Sequence, residues 1–117
     1  KANVSKANRV VGEVEGRTCI LVDDLIDTGG TICQAAEALM NDGAAEVIIV
    51  STHAVFSGEA VNRLKDSVAT EVIVTNTLPL EDDKHFDKLT VLSIAPLLAQ
   101  AVSPVFEDGS VTSLFAE

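Results

Sequence analysis

Apolar and polar positions change period repeatedly along this chain, and each change marks an element. "TICQAAEALMNDG" places Ile32, Ala35, Ala36, Leu39 and Met40 at helical spacing, with Gly43 as a helix stop. "EVIIVST", "EVIVTN" and "LTVLSI" are continuous apolar runs, as in strands buried on both faces. "SGEAVNRLKDS" predicts a short helix with Val61 and Leu64 inward. "APLLAQAV" predicts a last helix with Pro96 in its first turn, where proline is tolerated. At the front, "NRVVGEVEGRTCILVDD" reads as two extended runs around a tight "EG" turn. The tail "FEDGSVTSLF" reads as a turn and a short edge strand. Strands alternating with crossover helices predict a single α/β domain over residues 1–117. Its sheet is expected to be doubly wound and mostly parallel, with helices on both faces.

Composition agrees with one folded domain: 117 residues, of which 47% are apolar, can bury a core. No apolar run approaches the roughly 20 residues of a membrane span, so no membrane association is expected. The chain begins at Lys1 without methionine or a signal-peptide pattern, and we expect it to be part of something longer. Net charge is −10, from 18 acidic against 8 basic residues, which argues against nucleic acid as a partner. Trp and Tyr are absent, which removes most base-stacking platforms. Cys19 and Cys33 lack the spacing of a zinc set and read as reduced thiols, consistent with a cytoplasmic home.

The chemistry concentrates in "ILVDDLIDTGGTI", Ile20 to Ile32, between a predicted strand and a predicted helix. Ligands of such sheets bind at the carboxyl ends of strands. Gly29 and Gly30 permit positive φ and close backbone approach, so amides can converge on one centre. Thr28 and Thr31 add hydroxyl donors, and the helix N-terminus adds partial positive charge. A bland alternative is an ordinary strand-to-helix turn with Asp27 or Thr28 as N-cap. Asp23 and Asp24 shift the balance, because a carboxylate pair accepts hydrogen bonds from vicinal hydroxyls or coordinates hydrated Mg²⁺. A phosphate pocket beside a polyol pocket describes a sugar phosphate. No Lys or Arg occurs between Arg17 and Arg63. Cations for a polyphosphate reaction must therefore fold in from distant residues or lie outside the chain.

"VDDLIDTGGTI" resembles the phosphoribosyl-pyrophosphate-binding signature of type I phosphoribosyltransferase folds. In the wider text, "RVVGEVEGRTCILVDDLIDTGGTI", "STHAVFSGEAVNRL", "EVIVTNTLPL", "LTVLSIAPLLAQAV" and "DGSVTSLF" resemble the C-terminal half of bacterial ribose-phosphate pyrophosphokinases, from about Arg9 to Phe115. The resemblance implies a phosphoribosyltransferase-like domain, the C-terminal half of a two-domain enzyme with its ATP-binding half absent. It implies that Asp23 and Asp24 bind the ribose hydroxyls and Mg²⁺. It implies equally that Asp27, Thr28, Gly29, Gly30 and Thr31 hold the 5-phosphate of ribose 5-phosphate. The family transfers diphosphate from Mg-ATP to ribose 5-phosphate, making phosphoribosyl pyrophosphate and AMP. Its catalytic Lys-x-Arg loop precedes the hairpin, but "KANVSKAN" lacks that element. No catalytic residue is therefore assigned here, and the chain alone is expected to be inactive.

The resemblance further implies an allosteric phosphate or ADP site at a subunit interface, with Ser110 and Thr112 as its hydroxyls, and self-association of the full-length protein. An edge strand is the alternative for that tail. His53 is expected to be a hydrogen-bonded structural histidine, and His85 and Glu81 to Asp83 solvated surface. Two other functions stay open. One is a non-catalytic regulatory homologue of the synthetase. The other is a base-specific phosphoribosyltransferase, although no hood-like segment for a base is seen.

Overall fold

The computed structural model describes Val10 and residues 12–107. Four parallel strands, β1 (Thr18–Ile26), β2 (Glu46–Ala54), β3 (Glu71–Thr75) and β4 (Leu89–Leu92), lie side by side in chain order. Helix α1 (Gly30–Asn41) connects β1 to β2, and α2 (Ala60–Asp66) connects β2 to β3. A 3₁₀ turn at Asp82–Lys84 precedes β4, and α3 (Ala95–Phe106) follows it. The parallel α/β architecture expected from the alternating pattern is present.

The β1–β2 register runs from Thr18 opposite Glu46 to Ile26 opposite Ala54, so the two longest strands end together. Apolar side chains of alternate residues bury the sheet against α1 and α2. Val47, Ile49, Val72 and Val74 are buried, as are Ala36 of α1 and Ala60 and Leu64 of α2. Phe56, just past β2, joins this core with its ring 6.3 Å from that of Phe86. The opposite face is more open. Ile20 and Val22 of β1 are 60% and 76% exposed, and Leu92 is 53% exposed, while Ile48, Val50 and Ile73 are half-buried.

α1 ends where the sequence indicates. Gly43 has φ 100°, and the amides of Gly43 and Ala44 return to the carbonyls of Met40 and Leu39. α3 runs past its expected end at Val102, through Pro104 to Phe106, and has no buried residue. The hairpin expected at the front is represented by its turn, where Gly16 has φ 73° and the Arg17 amide meets the Val14 carbonyl at 3.0 Å. The described residues before that turn are not strand. Most of the tail that reads as an edge strand lies outside the described residues, whereas Phe106 ends α3. No described helix is long and apolar enough to cross a membrane.

Candidate functional site

β1 delivers its last residues to the carboxyl edge of the sheet, and the chain turns there through Asp27, Thr28 and Gly29 into α1. A cleft of about 300 Å³ opens on this turn, lined by Asp23, Leu25, Ile26 and the whole run Asp27 to Ile32. Six of the seven residues singled out in the sequence thus share one cleft. The seventh, Asp24, is exposed beside Asp23 but is not among the lining residues. Strand alternation explains the difference, since neighbouring side chains leave a strand on opposite sides. The Asp24 amide donates to Asp23 Oδ1 at 2.8 Å, which ties down that carboxylate at the rim.

The turn is gripped from one side by the segment leading from β2 into α2. Val55 and Phe56 both donate their amides to the Ile26 carbonyl, at 3.0 and 3.1 Å. Ser57 donates its amide to the Asp27 carbonyl at 2.9 Å, and its hydroxyl to the Asp27 carboxylate. Arg63 Nη1 donates to the Thr28 carbonyl at 2.9 Å. In a trans peptide the carbonyl and the following N–H point in opposite directions. With the carbonyls of Ile26, Asp27 and Thr28 all turned toward the β2–α2 segment, the amides of Asp27, Thr28 and Gly29 are directed away from it. That segment contributes no residue to the cleft lining.

The helix start adds to this array. Gly29 is the N-cap of α1 with φ 81°, and no side chain caps the helix. Neither Asp27 nor Thr28 fills the capping role expected of an ordinary turn. The Asp27 carboxylate is bonded to Ser57 instead. The first amides of α1, which have no acceptor within a helix, are left facing the turn. Of the two adjacent glycines, Gly29 alone has positive φ. Gly30 is the first residue of α1 and needs no left-handed backbone, and a Cβ there would meet nothing within 4 Å. The arrangement offers N–H donors turned from the β2–α2 segment, two cleft-lining threonines and a helix N-terminus, features that suit a bound anion.

Comparison with known proteins decides the family. A family model described as "Phosphoribosyl synthetase-associated domain" matches residues 2–116. The chain belongs to this synthetase family. It is similar to the ribose-phosphate pyrophosphokinase of Streptomyces coelicolor, 60% identical over 116 residues, which are 99% of this chain and 36% of that protein. It is 63% identical over 109 residues to the enzyme of the same name from Mycobacterium tuberculosis, covering 93% of this chain and 33% of the relative. The crystal structure of phosphoribosylpyrophosphate synthetase from Mycobacterium smegmatis superposes with a TM-score of 0.83 at 59% identity, covering 91% of this chain and 36% of that one. The chain therefore spans about a third of the length of these synthetases.

The other described residues singled out in the sequence lie outside the cleft lining. His53 is half-buried, with Nδ1 2.7 Å from the Thr77 hydroxyl, as expected of a structural histidine. His85 and Glu81 to Asp83 are exposed. Cys19 and Cys33 are free thiols, each half-buried. Burial pushes the Cys33 thiol above its usual range, although Arg63, Lys88 and a hydrogen bond from Ser67 oppose that shift. Ser110 and Thr112 lie outside the described residues, as do Lys1, Lys6 and Arg9.

Sequence reading found the turn but missed the residues that hold it. Ser57 is 30 positions from Asp27, and Arg63 is 35 from Thr28. The sequence signal that points to Arg63 is the gap in cations that it ends. The two glycines should respond differently to alanine. Gly29→Ala should lower stability by about 1–2 kcal/mol, the cost of a left-handed non-glycine residue. Gly30→Ala should leave it unchanged or raise it by roughly 0.5–1 kcal/mol, since alanine favours a helix. Urea unfolding followed by circular dichroism measures both; equal effects would contradict the φ assignment.

Proposed function

We propose that this chain is the ribose 5-phosphate-binding part of a ribose-phosphate pyrophosphokinase. The whole protein would transfer diphosphate from Mg-ATP to the anomeric hydroxyl of ribose 5-phosphate, forming phosphoribosyl pyrophosphate and AMP. One observation carries the binding half of this reading. The carbonyls of Ile26, Asp27 and Thr28 are held on one side of the turn, which leaves its amides turned the other way, where an anion would take them. The 5-phosphate would take those amides, the Thr28 and Thr31 hydroxyls and the N-terminus of α1, with Gly29 and Gly30 allowing close approach. Asp23 at the cleft rim, with Asp24 beside it, would accept hydrogen bonds from the ribose hydroxyls.

Of the two carboxylates, Asp23 lines the cleft and would be the one to meet Mg²⁺ there, whereas Asp24 is not among the lining residues. This ion usually keeps several waters and needs only one or two carboxylates beside substrate oxygens. When bound, it would offset negative charge on the phosphates. The chain's own contribution is to fix the sugar by both ends, so that its reacting hydroxyl is presented in one orientation.

Activity needs more than this domain. Among the described residues, no Lys or Arg lines the cleft, whereas diphosphoryl transfer relies on cations placed around the moving group. Those cations and the ATP site would come from the part of the synthetases that this chain does not span. The open face at Ile20 and Val22 supports packing against such a part. Self-association of the full-length protein, a cytoplasmic setting and an allosteric role for Ser110 and Thr112 belong to the same proposal.

Titration of ¹⁵N-labelled chain with ribose 5-phosphate tests the binding site. Shifts should centre on Asp27 to Thr31. Asp23→Asn combined with Asp24→Asn should weaken ribose 5-phosphate by about tenfold or more, each charged hydrogen bond contributing roughly 1.5–3 kcal/mol. Inorganic phosphate affinity should hold or rise, because repelling charge is removed. Equal loss of both ligands would contradict the division between sugar and phosphate. In a separate assay, the chain alone should release no AMP from Mg-ATP when ribose 5-phosphate is supplied; substrate-dependent AMP release would place the missing cations within it.

A further inference from the structure

We infer that Arg63 is a positioning residue for the phosphate turn, acting from behind it through the Thr28 carbonyl. The inference rests on the phosphate reading above and extends it to a residue outside the binding motif. Arg63 stands on α2, and its Nη1 donates to the Thr28 carbonyl at 2.9 Å across 35 residues of chain. It does not line the phosphate cleft. It lines a second one, with Cys33, Gln34 and Glu37 of α1, and Gly30 is common to both. The two clefts thus meet at the first residue of α1, and the guanidinium reaches the Thr28 carbonyl from the second of them.

Two effects follow from that placement. Geometrically, fixing the Thr28 carbonyl fixes the whole Thr28–Gly29 peptide plane, and so directs the Gly29 N–H away from Arg63. The carbonyls of Ile26 and Asp27 are held by backbone amides, which any residue could supply. The Thr28 carbonyl alone of the three depends on a side chain. Electrostatically, a cation on the carbonyl polarises the peptide and strengthens its N–H as a donor, since hydrogen-bonded groups reinforce one another in series. An arginine here also offsets the repulsion that Asp23 and Asp27 impose on an incoming dianion, without occupying the space the ligand needs.

The backbone around Arg63 fits a built brace. Phe56 has φ 54°, an uncommon conformation for a residue with a side chain, and is 1% exposed. This local strain accompanies the double donation of Val55 and Phe56 to the Ile26 carbonyl. Leu64, next to Arg63, is fully buried, which anchors α2 at the height of the turn. A Cβ on Gly29 would lie 3.7 Å from the Ala60 Cα and 3.8 Å from the Leu64 Cγ, so turn and helix are in direct register.

The test compares wild type, Arg63→Ala and Arg63→Lys in the full chain, ¹³C,¹⁵N-labelled, before and during titration with inorganic phosphate. Without ligand, Arg63→Ala should displace the Thr28 carbonyl carbon and Gly29 amide nitrogen resonances while the circular dichroism stays unchanged. Its phosphate affinity should fall by about tenfold, the scale of one charge-assisted hydrogen bond. Arg63→Lys should bring both the resonances and the affinity part of the way back. Resonances of Thr28 and Gly29 that stay in place in Arg63→Ala would overturn the brace. Displaced resonances with undiminished phosphate affinity would overturn its role in binding. Should Arg63→Ala fail to fold, the lysine variant decides, because a merely structural arginine gives no graded return of the Thr28 signal. Absence of phosphate binding at residues 27–31 in the wild type would refute the phosphate reading and the role in binding built on it, while the ligand-free resonances still judge the contact itself.

Discussion

The organisation of the site depends on the fact that a planar trans peptide cannot turn its carbonyl and its N–H to the same side. Wherever a neighbouring segment captures consecutive carbonyls, the matching amides must line the opposite surface. Here the β2–α2 segment captures the carbonyls of Ile26, Asp27 and Thr28. The donor array is then a consequence of contacts made behind it. Within the turn itself the backbone is left-handed at Gly29, and the helix begins immediately after it.

Those contacts require that β1 and β2 end at the same height and that α2 start close above them. The parallel register of β1 with β2 meets the first requirement, carrying Ile26 opposite Ala54, both nearly fully buried. The second is met by burial of Phe56, Ala60 and Leu64 between the strand ends and the helix. Fully burying a large apolar side chain contributes roughly 1.5–3 kcal/mol. That is enough to offset the local cost, about 1–3 kcal/mol, of holding Phe56 in a sparsely populated backbone region. Hydrophobic packing on one face of the sheet thus sustains the polar geometry at its edge.

Much of this was legible in the residues. Continuous apolar runs gave the parallel strands, and the spacing of Ile32, Ala36, Leu39 and Met40 gave α1 with its stop at Gly43. The stretch from Asp23 to Thr31 stood out because residue types alone reveal a turn that can bear an anion. What stayed hidden depended on contacts across the fold. Asp27 could be read as a helix cap until Ser57, 30 residues away, is seen to hold its carboxylate. Arg63 could be counted as a distant charge, but nothing in its local text says that α2 brings it onto the Thr28 carbonyl. Likewise, the different sides taken by Asp23 and Asp24 follow from strand alternation at one specific register.

Amide hydrogen exchange on the free chain, with and without inorganic phosphate, tests the orientation of the turn most directly. The account predicts slow exchange at Phe56 and Ser57, whose amides bond the carbonyls of Ile26 and Asp27. It predicts fast exchange at Thr28 and Gly29, slowed selectively when phosphate is added. Thr28 and Gly29 amides protected in the free chain and indifferent to phosphate, with Phe56 and Ser57 exchanging freely, would contradict it.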